Sequence, residues 1–194
     1  MAVITDEIGD ETFLVVGESF GGYVAREVVR RHRSQVAGLA LVCPVGEPVS
    51  KRRRLPPHVV IARDDAAVEA LPAELREEFE PYAVVQTAEV VDRFRTNIAP
   101  GLSRADNGFA ERLHTGGYPL DQTPEGDGPF DAPCLILTAR QDAVVGYLDQ
   151  WDLLPHYPRA TFAVLDAAGH NAHLERPALV EPLLIDWLER VRGS

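Results

Sequence analysis

Several things are scarce in this chain, and each scarcity closes off a class of protein. There are two cysteines in 194 residues, Cys43 and Cys134. Two distant cysteines make neither a disulfide framework nor a metal site. Each lies in or beside an apolar strand-like run, where a buried reduced thiol is expected. No apolar run approaches the ~20 residues of a membrane helix. Basic charge is short as well, with 19 Lys and Arg against 30 Asp and Glu and a net charge of -11. Nucleic acid and anionic membrane are therefore not expected partners, because both require a basic face. The one basic run, Lys51-Arg52-Arg53-Arg54 with the only lysine of the chain, has no aromatic residues interleaved and reads as a solvated loop edge. The acidic start, Met1-Ala2-Val3-Ile4-Thr5-Asp6-Glu7, lacks a signal-peptide layout, so the expected location is cytoplasmic. There is no HExxH, GxxxxGK[ST] or GxGxxG.

What is present centres on Phe13-Leu14-Val15-Val16-Gly17-Glu18-Ser19-Phe20-Gly21-Gly22. Four apolar residues, the pattern of a fully buried parallel strand, run into a Gly-x-Ser-x-Gly turn. A helical pattern follows to about His32, with Val24, Ala25, Val28 and Val29 on one face and Arg26, Glu27, Arg30 and Arg31 off it. A serine on such a strand-to-helix turn has its hydroxyl pushed out of the backbone at the positive end of a helix. The amides of Phe20 and Gly21 can face a developing anion there. Gly17 and Gly21 are expected at positions where side chains would collide as the chain doubles back. The bland alternative is a structural Gly-Ser turn.

Two more buried strands are expected, Val36–Cys43 and Ala132–Ala139, and a fourth strand, Thr161–Asp166. Residues 46–131 differ, with clustered prolines, charged helical stretches (Leu71–Phe79, Thr87–Ile98) and a Gly/Pro/Asp-rich linker, Thr123–Pro129. They read as a mostly helical insertion and linker over the sheet, with residues 1–45 and 132–194 forming one α/β core of parallel strands and flanking helices. Trp151 and Leu154 belong to a helix after the third strand. Leu183, Leu184, Trp187, Leu188 and Val191 mark a last helix, which Pro182 delays to about Glu181, with Pro177 in its lead-in.

Three groups then fall just past the carboxyl ends of successive strands, the edge where open α/β sheets bind ligands: Ser19, Asp142 and His170. A serine hydroxyl is a poor nucleophile until a base takes its proton, and histidine is the side chain that titrates near neutral pH. A carboxylate fixes the tautomer and stabilises the imidazolium. The order Ser, Asp, His is the one the elbow motif predicts. Each has a rival. Asp142 could merely cap the following helix, with Glu47 as the fallback acid. His173 competes with His170, whose preceding Gly169 allows a tight turn back over Ser19. His32, His58, His114 and His156 read as surface or packing residues.

The arrangement resembles the α/β-hydrolase superfamily over essentially the whole chain. The carriers are Gly17-Glu18-Ser19-Phe20-Gly21-Gly22, Ala139-Arg140-Gln141-Asp142 with Val145, and Ala168-Gly169-His170-Asn171 with Leu174-Glu175 and Pro177. The resemblance implies Ser19 as nucleophile, Asp142 as acid, His170 as base and the Phe20 amide as an oxyanion donor. It implies that the insertion is a cap, with Phe94, Leu102, Phe109 and Tyr118 as loose candidates for lining its pocket. The expected activity is hydrolysis of a small carboxylic ester, or a related acyl or carbon–carbon bond, through an acyl-enzyme, with no metal or cofactor required. Non-hydrolytic acyl transfer or a cofactor-free lyase would use the same elbow.

The departure is at the beginning. Members of the superfamily usually carry about four strands and a His-Gly oxyanion loop before the elbow, whereas a dozen residues precede it here. A fragment, a mis-set start site, or a protein that covers the open elbow-strand edge by pairing with a second copy all fit that pattern. A catalytically weak or inactive truncated remnant that works by binding is the alternative function.

Overall fold

The computed structural model describes residues 6–106, 108 and 118–194. Its main sheet has four strands, β1 (Phe13–Glu18), β2 (Val36–Val42), β5 (Cys134–Ala139) and β6 (Ala160–Leu165), ordered β1-β2-β5-β6 and parallel throughout. Successive side chains of a strand point to opposite faces, and the two central strands obey this closely. Leu39 and Leu41 of β2, with Cys134 and Ile136 of β5, join one apolar cluster. Ala40, Val42, Leu135 and Leu137 join the other. A sheet buried on both faces needs continuous apolar strands, which is why these segments read as unbroken runs.

Helix α1 (Ser19–Arg31) covers the first face through Ala25 and Val29, and the last helix, α8 (Pro177–Arg192), covers the second through Trp187. The indole N–H of Trp187 donates to the Pro133 carbonyl at 3.0 Å, anchoring α8 at the start of β5. Three expectations need correction. β1 is not fully buried: Phe13 and Val15 pack inward, but Val16 is 61% exposed because none of the described residues covers the other face of this edge strand. Arg26 and Glu27, expected off the buried face of α1, are buried, while Val24 is exposed. The last helix begins at Pro177 rather than near Glu181, with Pro182 inside it. Pro177 has the φ of a first helical residue and lacks an N–H that would go unpaired there anyway. Pro182, inside the helix, removes the hydrogen bond to the carbonyl four residues back, and its ring crowds that carbonyl.

The segment between β2 and β5 contains helices α2 (Asp65–Glu69), α3 (Ala73–Phe79), α4 (Ala88–Asn97) and α5 (Ala99–Leu102). It also holds two strands of two residues each that the sequence did not suggest, β3 (Ala62–Arg63) and β4 (Val85–Gln86), paired in parallel. Val68, Leu71, Phe79, Val90, Val91 and Phe94 form its own apolar cluster, into which Leu174 inserts from α7 (Ala172–Glu175). Between β5 and β6 the helix expected over Trp151 and Leu154 is short, α6 (Leu148–Trp151), followed by a single 3-10 turn, Leu154–His156.

Candidate active site

The site is assembled at the carboxyl ends of β1, β5 and β6. β1 ends at Glu18, and Ser19, the first residue of α1, has φ 52°. A non-glycine residue in the left-handed region costs about 1–3 kcal/mol and persists only where its surroundings over-determine it. Here the Val45 N–H donates to the Ser19 carbonyl at 2.9 Å. A Cβ on Gly17 would lie 2.5 Å from the Gly21 carbonyl oxygen and 2.7 Å from Ala25 Cβ, so the elbow requires glycine there. The expectation for Gly21 does not hold, since a Cβ at that position meets open space. Gly22 is the second close approach, 2.6 Å from Pro44 Cβ. Phe20, the next residue of α1, has one of the four leading amides that lack an intrahelical acceptor.

Asp142 follows β5 and is fully buried. Its two oxygens divide the work: Oδ1 accepts the Val144 and Val145 amides at 2.8 and 3.0 Å, and Oδ2 lies 2.9 Å from His170 Nδ1. Asp142 thus caps its turn and meets the histidine at once, so the two readings of it are not exclusive. A carboxylate can only accept, which puts the proton on Nδ1 and leaves Nε2 as acceptor. His170 Nε2 is 2.8 Å from Ser19 Oγ. The structure therefore brings Ser19, His170 and Asp142 into one hydrogen-bonded line across 151 residues of sequence separation.

Gly169 matters for space rather than for a turn dihedral. Its Cβ would lie 2.5 Å from the Tyr82 carbonyl oxygen, and the left-handed residue of this loop is Ala167 at φ 53°. The rivals stand elsewhere. Glu47 turns its carboxylate onto its own loop, accepting the Val49 amide at 2.7 Å. His173 sits in α7, with Nδ1 2.8 Å from Glu18 Oε1 but misaligned for a hydrogen bond. His32 and His58 contact Gln35 and the Ala83 carbonyl, and His156 ends the 3-10 turn after α6. His114 and Phe109 lie outside the described residues.

Of the other pocket candidates, Phe94 is buried against Phe79, ring centroids 5.1 Å apart, and Leu102 packs on the same cluster. Only Tyr118 lines a hollow near the elbow, of about 450 Å³, with Phe20, Tyr23, Val24, Val28 and Leu120. Tyr118 meets Phe20 edge-on at 4.6 Å, and its hydroxyl accepts from Arg53 at 2.6 Å. A smaller hollow of about 190 Å³, between Ala67, Leu71 and Val91, includes none of the Ser19, His170 and Asp142 line.

Sequence reasoning gave no role to three buried groups around the site. Arg26 pairs with Glu125 through two hydrogen bonds, 2.5 and 2.9 Å, and donates to the Val45 carbonyl at 2.8 Å. Glu175, which entered only as part of a motif, accepts the Val84 and Val85 amides at 2.6 and 2.8 Å and also the Gly169 amide. Cys43, at φ 41°, has its thiol pushed well above the usual range by burial, then by the nearby Asp142 and Glu18 charges. Among the described residues, no group of three His, Cys, Asp or Glu side chains is arranged to hold a metal ion.

The parallel strands and the strained strand-to-helix turn at Ser19 fit the fold of the α/β hydrolases. The family model for the alpha/beta hydrolase fold matches residues 1–177, and the chain belongs to that family. It is similar to bovine monoacylglycerol lipase ABHD6, 27% identical over 199 residues covering 97% of this chain and 58% of that protein. Among solved structures, an α/β-superfamily hydrolase from Oenococcus oeni PSU-1 superposes with a TM-score of 0.88 at 25% identity, over 98% of this chain and 71% of that one. A thermophilic esterase from Thermogutta terrifontis matches 98% of this chain and 70% of its own, with a TM-score of 0.62 at 25% identity. The chain thus spans somewhat more than half the length of the curated relative.

Proposed function

We propose that this chain is a serine hydrolase of small carboxylic esters or related acyl compounds. Ser19 attacks the carbonyl carbon while His170 Nε2 takes the hydroxyl proton, and Asp142 holds the ring by Nδ1. The Phe20 amide donates to the oxyanion of the tetrahedral intermediate. His170 returns the proton to the leaving group, an acyl-Ser19 ester remains, and water activated by the same histidine releases the acid. No metal or cofactor enters these steps. The observation that carries the reading is the continuous line of 2.8 and 2.9 Å contacts from Ser19 Oγ to Asp142 Oδ2. The lipase and esterase names of its relatives support ester chemistry without choosing the acyl group or the alcohol.

The test is intact mass after exposure to a fluorophosphonate. One adduct on the wild-type chain that Ser19→Ala lacks is the expected result. The alternative of a weak or inactive form forecasts no adduct, and that outcome would overturn the proposal.

A further inference from the structure

We infer that Glu175 is a positioning residue of this site: its buried carboxylate ties the segment Tyr82–Val85, between β2 and β5, to the loop that carries His170. The inference rests on the serine-hydrolase reading for what the positioning achieves. Three backbone N–H groups from two separate parts of the chain converge on this one side chain. Val84 and Val85 donate to Oε1 at 2.6 and 2.8 Å, and Gly169, next to His170, donates to Oε2. The same two segments meet again where the His170 amide donates to the Tyr82 carbonyl at 3.1 Å. Gly169 leaves no room for slack, since even a methyl group there would strike the Tyr82 carbonyl at 2.5 Å.

The chemistry of the acceptor fits this task and little else. Glu175 is 6% exposed, and no Arg, Lys or His appears among its hydrogen-bond or ion-pair partners in the described residues. Three amides on two oxygens need a carboxylate, because a glutamine has one acceptor and would turn its own NH2 group toward an N–H. Burial raises the Glu175 carboxyl above the ordinary glutamate value, the three amides oppose that, and the charge of Asp142 adds to it. A group held at that disadvantage is expensive as mere filler. Its placement fixes the height of the Gly169-His170 backbone, and hence the reach of the imidazole between Asp142 and Ser19. The segment between β2 and β5 is then part of the support of the base.

The experiment compares the wild type, Ser19→Ala, Glu175→Gln and Val85→Pro. The readouts are the fluorophosphonate labelling rate, kcat and KM on a chromogenic short-chain ester, and thermal melting. Val85→Pro removes one donor at the far end of the clamp and leaves Glu175 itself in place. The expected result is that Glu175→Gln lowers the labelling rate and kcat by about tenfold or more while KM stays within about twofold. Val85→Pro should move both in the same direction by a smaller factor. A purely structural role would lower the melting temperature and leave the rates of the folded protein unchanged, which would overturn the inference. If Glu175→Gln does not fold, Val85→Pro decides alone, and wild-type rates in that variant refute the clamp. A wild-type chain that takes no adduct removes the serine-hydrolase reading, and the role of Glu175 with it. Labelling that is specific for Ser19 but indifferent to both clamp variants removes only the latter.

Discussion

Replacing Arg26 with methionine keeps most of the side-chain length and deletes the guanidinium. The Glu125 carboxylate, 7% exposed, would then face the Tyr157 hydroxyl at 2.8 Å as its remaining side-chain partner, and the Val45 carbonyl would lose its 2.8 Å donor. Removing one member of a buried ion pair costs about 3–5 kcal/mol. The lower end applies because Glu125 lies in the Gly/Pro-rich stretch Thr123–Pro129, which can swing its carboxylate out to water. With a urea dependence of about 2 kcal/mol per molar, a loss of about 3 kcal/mol lowers the unfolding midpoint by about 1.5 M. The double variant Arg26→Met/Glu125→Leu removes both charges and should return to within about 1 kcal/mol of the wild type. Urea unfolding followed by circular dichroism measures both. A midpoint shift below about 0.5 M for the single variant would refute the reasoning, since the pair would then be relaxed by solvent. The pair also carries a pH signature. Burial works to raise the Glu125 carboxyl, but the hydrogen bonds and charge of Arg26 outweigh it and hold the group below its ordinary 4.5. A carboxyl depressed in the folded state contributes stability that is present above the unfolded value and lost as pH falls through the folded one. The stability gap between the wild type and the double variant should therefore shift against the wild type below about pH 4.5.

Other outcomes follow from the same geometry. Asp142→Asn keeps an oxygen for the Val144 and Val145 amides but offers His170 Nδ1 a donor or a neutral acceptor. It should fold, and lose about 10³–10⁴ in kcat on any ester the wild type turns over; a loss under tenfold would mean that another group orients the ring. Neither cysteine should react with an aromatic disulfide reagent at pH 8 in the native state, since burial pushes the Cys134 thiol up to about 12 and that of Cys43 well above 9.0. Two thiols should appear on denaturation. Among the described residues no strand pairs with the outer edge of β1, and the partner we propose for it is a second copy, paired along Phe13–Val16 where Leu14 and Val16 are exposed. Sedimentation should then give a concentration-dependent mass that Val16→Lys shifts toward monomer, and a monomer at all concentrations would dismiss it.

The parts of the molecule legible in its sequence are those whose causes are local. β2 and β5 announce themselves because both of their faces are covered, which demands an unbroken apolar run. Ser19, Asp142 and His170 are legible because each lies just past the carboxyl end of a strand. What escaped depends on partners far away in the chain. Arg26 looks like a solvent-facing residue until Glu125, 99 residues on, folds against it. Glu175 finds two of its three donors about 90 residues earlier. β3 and β4 are two residues long, too short for a period-two pattern to register. Gly169 reads as a tight-turn residue, but Ala167 is the one with the left-handed φ, and no local pattern reveals the Tyr82 carbonyl lying against Gly169.

The order of the strands has a kinetic consequence. β1, α1 and β2 are consecutive and can pair within one short loop, but β2 and β5 are neighbours in the sheet with about ninety residues between them. Closing a loop of that size rather than one a tenth as long costs only about 2 kcal/mol of chain entropy, since the penalty grows with the logarithm of length. The search for it is nonetheless slow, because non-local parallel pairing is gained late. Refolding should therefore pass through a stage in which the β1-α1-β2 unit holds a bare β2 edge. During that interval β2 presents an apolar edge that β5 covers in the native sheet, so the yield should fall with protein concentration in the first moments after dilution from denaturant, long before the native sheet is complete.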